Sequence, residues 1–308
     1  MKNFKSLLED EFGKTYNSIF RYAIRASRRY KKYTIPKRTG GCRIIFQPSA
    51  ELKSYQRYIS REIFSRFPVH SCVYSYQKNK SVKDMALKHL KTKYLLRVDF
   101  KDFFPSLSAK NIRYFIRKNS DRLEYELTDN DITMINLLIC KADKLTIGAP
   151  SSPVISNVLL YDLDEYLVNY CYRIGVTYTR YADDMYFSSK APDILQDVMP
   201  TLKKFLNTYY IELSINEKKN IFTSKKRRQQ ITGLILTSDN KISTGREKKR
   251  YIKSLIYHYM NDNISIEKLN YLKGYLSYLY SIEPQYINNL KTKYSDRIIN
   301  ELLPINKN

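Results

Sequence analysis

Residues 178–187 read Tyr-Thr-Arg-Tyr-Ala-Asp-Asp-Met-Tyr-Phe. Two β-prone runs, Thr177 to Tyr181 and Met185 to Ser188, flank the adjacent carboxylates Asp183 and Asp184. Aromatic and Thr residues suit a pleated, half-buried surface, so the segment predicts a hairpin with both carboxylates at its tip. Two neighbouring carboxylates at a turn repel each other unless a cation lies between them. Hard oxygen donors at this density suit Mg²⁺, which takes one or two carboxylates plus substrate phosphates.

A third carboxylate is placed to join them. Tyr94 to Phe100 reads as a buried strand that terminates in Asp99, followed by Phe100-Lys101-Asp102-Phe103-Phe104-Pro105. An acid at a strand end is what a two-metal site needs as a further ligand. Two Mg²⁺ ions about 3.5–4 Å apart would activate an attacking hydroxyl and stabilise a departing pyrophosphate. That chemistry is phosphoryl transfer, in which positioning and charge neutralisation do most of the catalysis. Asp102 is read as a solvated or supporting neighbour rather than a ligand.

The charge balance points the same way. Lys and Arg number 54 against 30 acidic residues, a formal net charge of +24 over 308 residues. Self-repulsion of that size is tolerated where a polyanion is the partner. The 29 Tyr residues interleave with Lys, which suits stacking on bases beside phosphate neutralisation. No apolar run is long enough for a membrane-spanning helix, and charges in the first residues do not fit a signal peptide. Cys42, Cys72, Cys140 and Cys171 are scattered, so they read as reduced thiols in a cytoplasmic protein rather than as a zinc site or disulfide frame.

Along the chain, residues 1–33 carry helical periodicity and end in the basic run Arg28-Arg29-Tyr30-Lys31-Lys32. A basic hairpin turning at Gly40 and Gly41 comes next, then a helix from Ala50 to about Phe67. Ser151 or Ser152 followed by Pro153 announces a helix that runs to Arg173 and stops at Gly175. After the acidic hairpin come a helix near 192–209 and strands near 211–223 and 230–236. Helices over Glu247 to Tyr259 and Ile264 to Tyr280 follow, the second with a stripe of Leu269, Leu272, Leu276 and Leu279. Pro284 marks a break after it.

The blocks Val98-Asp-Phe-Lys-Asp-Phe-Phe104, Gly148-Ala-Pro-Ser-Ser-Pro153 and Tyr181-Ala-Asp-Asp184, in that order, resemble reverse transcriptases. Through Leu213-Ser-Ile-Asn-Glu-Lys-Lys219, Ile231-Thr-Gly233 and Gly274-Tyr-Leu-Ser-Tyr278 the likeness narrows to bacterial retron reverse transcriptases. Two positions depart from the pattern. Met85 opens Met85-Ala-Leu-Lys-His89 where the group has Asn, and Ile147 precedes Gly148 where the family has Gln.

The resemblance implies an α+β right-handed polymerase fold with an antiparallel palm sheet and a helical C-terminal thumb. It implies N-terminal helices and fingers over 1–95, palm over 96–236 and thumb over 237–308. It implies RNA-templated DNA synthesis by two Mg²⁺ ions held by Asp99, Asp183, Asp184 and the Phe100 backbone carbonyl. Lys37, Arg43, Phe104, Ala149 and Lys218 would meet the incoming dNTP, with Lys219 an alternative to Lys218. Phe104 would pack under the sugar and exclude a 2′-hydroxyl, while Phe103 is core. His89 is either an RNA contact or a solvated helix residue, and His258 sits passively on a helix. Lys248, Lys249, Arg250 and Lys253 cluster in one helix, opposite Tyr251, Leu255 and Tyr259, as a surface for structured RNA.

The same likeness implies a structured non-coding RNA as primer and template and priming from an internal 2′-hydroxyl. The product would be a branched RNA-linked single-stranded DNA (msDNA), with an anti-phage role alongside an encoded effector protein. Abortive-infection, diversity-generating or group II intron-like reverse transcriptases would keep the site but use another primer. No appended maturase or endonuclease region is expected. A silent RNA-binding protein of the same fold would need no intact acids.

Overall fold

The computed structural model describes residues 3–37, 40–209 and 212–303. The chain begins with α1 (Phe4–Phe12), α2 (Tyr16–Ile24), β1 (Tyr30–Pro36), β2 (Cys42–Pro48), α3 (Ala50–Glu62), α4 (Val82–Lys88) and β3 (Tyr94–Lys101). Then follow α5 (Ala109–Lys118), α6 (Asp129–Ile139), α7 (Ser152–Leu159), α8 (Tyr161–Arg173), β4 (Thr177–Tyr181), β5 (Asp184–Ser189) and α9 (Val198–Tyr209). Short strands β6 (Ser214–Ile215), β7 (Ile221–Ser224), β8 (Gln229–Ile231), β9 (Leu234–Leu236) and β10 (Ile242–Ser243) precede α10 (Arg246–Met260), α11 (Ile266–Ile282), α12 (Pro284–Tyr294) and α13 (Asp296–Leu302). The fold is mixed α+β, as the sequence implied. Arg38 and Thr39 of the expected hairpin, Met1 and Lys2 of the expected first helix, and Ile211 of an expected strand lie outside the described residues.

The chain forms two compact units. The first comprises Met1–Lys78, Arg97–Phe187 and Asp193–Asn220, and the second Asn79–Leu96, Ser188–Pro192 and Ile221–Asn308. In the first, a sheet with strand order β4-β5-β3-β6 carries the acidic residues. β3 and β6 are antiparallel, with Phe100 opposite Ile215. The β1–β2 hairpin forms where Gly40 and Gly41 predicted it, and both glycines have positive φ. Its strand β2 is tied to the loop before α7, because Phe46 N–H donates to the Ile147 carbonyl at 2.8 Å. At Gly148 a Cβ would lie 2.6 Å from the Phe46 carbonyl oxygen, so only glycine fits that approach.

The expected helix from Ser152 to Arg173 divides at Leu160 into α7 and α8. The expected serine cap is also absent. Ser151 adopts helical φ/ψ and makes no cap bond, whereas the Ser152 hydroxyl donates to the Thr146 carbonyl at 2.8 Å.

In the second unit α4 packs on β8, β9 and β10, and the ring of Tyr94 stacks on Phe222 of β7 at 6.2 Å. The helices α10 to α13 share a core of Ile252, Leu255, Ile256, Leu272, Leu276, Leu279, Ile287 and Leu290, among others. The Leu stripe of α11 faces this core, with Leu269 only partly buried at its end. Pro284 occupies the first turn of α12, where its missing N–H costs nothing, so it starts a helix as well as ending one. Tyr251, expected on the buried face of α10, is exposed, and Ile252 takes its place beside Leu255. No described helix is long and apolar enough to cross a membrane.

Candidate active site

β4 and β5 are joined by a two-residue turn, Ala182-Asp183, that places Asp183 and Asp184 where the sequence put them. Ala182 has φ 55°, at the first central turn position, where glycine is favoured. A buried network holds this strained residue. Its N–H donates to Ser75 Oγ at 2.8 Å, and its carbonyl accepts from Arg180 Nη1 at 3.1 Å. Arg180 is fully buried and forks onto Asp164, with Nη2 at 2.6 Å from Oδ2 and Nε at 2.8 Å from Oδ1. Tyr178 donates its hydroxyl to the same carboxylate at 2.9 Å, and Asn157 Nδ2 donates to the Ser75 carbonyl at 2.9 Å.

β3 runs beside this hairpin, and the Phe100 N–H donates to the Asp183 carbonyl at 3.2 Å. Asp99 is almost wholly buried, and its Oδ2 accepts from Lys219 Nζ at 2.7 Å. Arg97 lies two positions earlier, hence on the same strand face, and its Nε and Nη2 donate to Asp184 Oδ1 at 3.0 and 2.8 Å. Burial, then the Asp184 and Asp99 carboxylates, push Asp183 up to about 6. Burial also raises Asp184, opposed by the Arg97 guanidinium. The three acids are therefore close enough to repel each other. Each of Asp99 and Asp184 has a cation partner in the protein itself, and among the described residues no three acidic, His or Cys side chains converge on one point.

Of the three acids, Asp183 lines a cleft of about 1050 Å³. Asp183, Lys219, Asn216, Phe100, Phe103, Phe104 and Tyr76 line it, and so do Lys37 and Arg43 of the basic hairpin and Ile147 of the loop. Phe104 is partly exposed to the cleft, whereas Phe103 is buried and stacks on Phe100 at 5.5 Å. Ala149 is buried next to Gly148. Tyr76, Asp102, Ala142 and Ala182, all lining residues or their turn partners, have positive φ. Strained backbone of this kind gathers at functional sites.

Three expectations are corrected. Lys219 reaches the carboxylates, whereas Lys218, its neighbour in the turn Glu217–Lys219, is exposed and does not line the cleft. His89 is neither solvated nor at a nucleic-acid surface. It is fully buried, with Nδ1 at 2.6 Å from Ser188 Oγ, and burial lowers it to about 3. Met85, four residues earlier, is also core. Lys249 is an internal tie, its Nζ 2.6 Å from Glu283 Oε2 and 4.4 Å from the Tyr286 ring centroid. Lys248 and Arg250 are exposed, and Lys253 is partly so.

The sequence reading missed Arg97, Tyr76 and Asn216. Arg97 had a signal, since a lone charge in an apolar strand two residues before an acid shares that acid's face.

Residues 35–251 match the family described as "Reverse transcriptase (RNA-dependent DNA polymerase)". Three Escherichia coli proteins align along most of the chain. The retron Ec83 reverse transcriptase is 34% identical over 291 residues, 90% of this chain and 91% of that one. The retron Ec73 enzyme is 33% identical, covering 87% and 88%, and the retron Ec86 enzyme 30%, covering 89% and 85%. The chain belongs to the retron reverse transcriptases. This reverse transcriptase is an RNA-directed DNA polymerase, and the polymerases of its family depend on a divalent metal. The chemistry of these donors fits such a metal, because Asp183 is raised by burial and by the neighbouring Asp184 and Asp99, a repulsion that a divalent cation would relieve.

Proposed function

We propose that this retron reverse transcriptase copies a structured non-coding RNA, which also primes the reaction, into a branched RNA-linked single-stranded DNA. The observation that carries the reading is Asp183 at a cleft whose lining includes the basic hairpin residues Lys37 and Arg43, with Asp184 and Asp99 close enough behind it to raise its pKa. In this reading Asp99, Asp183, Asp184 and the Phe100 carbonyl hold two Mg²⁺ ions, which supply a more acidic attacking hydroxyl and charge neutralisation at the leaving group. Lys37 and Arg43 take the triphosphate of the dNTP. Lys219, released from Asp99, follows the charge of the departing pyrophosphate. Phe104 sits under the sugar, and the Ala149 backbone lines the nucleotide's base side. Residues 1–95 act as fingers, 96–236 as palm and 237–308 as thumb, with Lys248, Arg250 and Lys253 facing nucleic acid. Anti-phage defence with a separate effector protein completes the proposal, from the likeness to retrons alone.

Primer extension with Mg²⁺ and dNTPs tests the centre. Asp183→Asn or Asp184→Asn should abolish synthesis while leaving RNA binding within a few-fold of the parent. Near-normal synthesis by either variant would refute the metal assignment. Nucleic acid co-purified with the protein, sequenced after protease treatment, should contain DNA that remains joined to RNA. Unlinked DNA would reject the branched product.

A further inference from the structure

The basic run after α2 takes no part in the polymerase cleft. It borders a separate concave notch of about 470 Å³ lined by Arg21, Tyr22, Ile24, Arg25 and Arg29. Arg21 and Arg25 are one helical turn apart, so they neighbour each other at the C-terminal end of α2. A short 3-10 turn, Ala26–Arg28, brings Arg29 to the same notch. The Arg29 guanidinium lies 5.6 Å from the Tyr22 ring centroid. Tyr22 is itself anchored, its hydroxyl 3.3 Å from Ser49 Oγ and its ring 5.2 Å from that of Tyr55. The Ser49 N–H donates to the Arg29 carbonyl at 2.8 Å, which fixes the backbone from which the third guanidinium projects.

Elsewhere in the described residues some arginines, Arg97, Arg117 and Arg180 among them, have a carboxylate partner, while others, such as Arg43, Arg173 and Arg250, are in no ion pair, so it is convergence on one hollow that sets these three apart. No ion pair among the described residues involves Arg21, Arg25 or Arg29. A helix C-terminus attracts cations, which accounts for one or two basic residues there. It does not account for three guanidinium groups around one hollow, one of them held over a ring. Guanidinium forks match phosphate oxygens bidentately, and a polyanion supplies the counter-charge this cluster lacks. Ile24, 60% exposed, and Tyr22 add apolar surface for a sugar or base beside the phosphates.

We propose that this notch is a second RNA-binding site, which takes backbone phosphates of structured RNA outside the catalytic cleft. The proposal rests on the RNA-copying reading only for its choice of polyanion. The full-length triple variant Arg21→Gln, Arg25→Gln, Arg29→Gln tests it against a 20-base-pair RNA hairpin of arbitrary sequence, with affinity measured over a salt series. At about 0.9 in slope per phosphate neutralised, the salt dependence should flatten by roughly 2–3 and binding should weaken roughly tenfold at low salt. Synthesis on a short primed homopolymer at saturating template should match the parent. The triple Lys variant keeps the charges and should restore the slope. A parental slope in a folded Gln variant overturns the proposal. If the Gln variant melts early, the Arg25→Gln, Arg29→Gln pair is decisive, and a parental slope there overturns it equally. Failure of the RNA-copying reading would appear separately, as a parent protein that makes no DNA.

Discussion

Phe104, partly exposed, and His89, fully buried, each make a residue-scale prediction. Phe104 lines the cleft with part of its ring open, five positions after Asp99. Phe104→Ala should gain rNTP incorporation while keeping some dNTP activity, measured by competing the two in primer extension. Unchanged discrimination in an active variant would remove Phe104 as the sugar gate. His89 is neutral in the folded chain, because burial lowers it from 6.5 to about 3. Its folded pKa lies below the unfolded one, so the unfolded chain takes up the extra proton as pH falls. Stability is full above about 6.5 and declines toward about 3. Between pH 7 and 5 this single group should remove about 2 kcal/mol. Urea melts of the parent and His89→Gln at the two pH values should show a flatter dependence in the variant, and parallel curves would clear His89.

At the scale of elements, the β4–β5 hairpin owes its shape to residues far from it in sequence. Ala182 sits in a conformation its side chain disfavours, and Ser75 and the Arg180–Asp164 pair keep it there. Breaking a fully buried pair leaves an unpartnered charge, so Asp164→Asn should cost about 3–5 kcal/mol in urea unfolding. It should also lower kcat in whatever fraction stays folded, since the turn carries Asp183. Stability within about 0.5 kcal/mol of the parent would mean the network is not holding the turn. The helix α10 divides its basic residues by task. Lys248→Gln with Arg250→Gln should flatten the salt dependence of RNA binding by roughly 2 with little change in Tm. Lys249→Gln should instead lower Tm, because Glu283, which also accepts from the Thr244 N–H, loses its cation. The reverse pattern would reassign the helix.

Across the whole molecule, what could be read in the sequence followed from chemistry that is local. Asp99, Asp183 and Asp184 were legible because acids at strand ends and turns leave a pattern, and the leucine stripe of α11 because one face is buried. Helix α6 left little trace. Buried residues nearly encircle α6, including Ile132, Met134, Ile135, Asn136, Leu138 and Ile139, so no amphipathic period survives. The choice of Lys219 over Lys218 depends on the direction of one short turn, which composition cannot encode.

The two units are each assembled from separated stretches of chain, and this sets the order in which a ribosome can complete them. Asp99 emerges 120 residues before the lysine that pairs with it. At about 5–20 residues per second, that is a wait of roughly 6–24 s. Of the neighbours that will flank it, the apolar strand β3 lacks β5 for more than half of that wait and β6 for nearly all of it. The nascent enzyme therefore exposes a sticky, incompletely paired strand through much of that wait. Its yield in a foreign host should rise with co-expressed chaperones or slowed growth more than with any change to the finished surface.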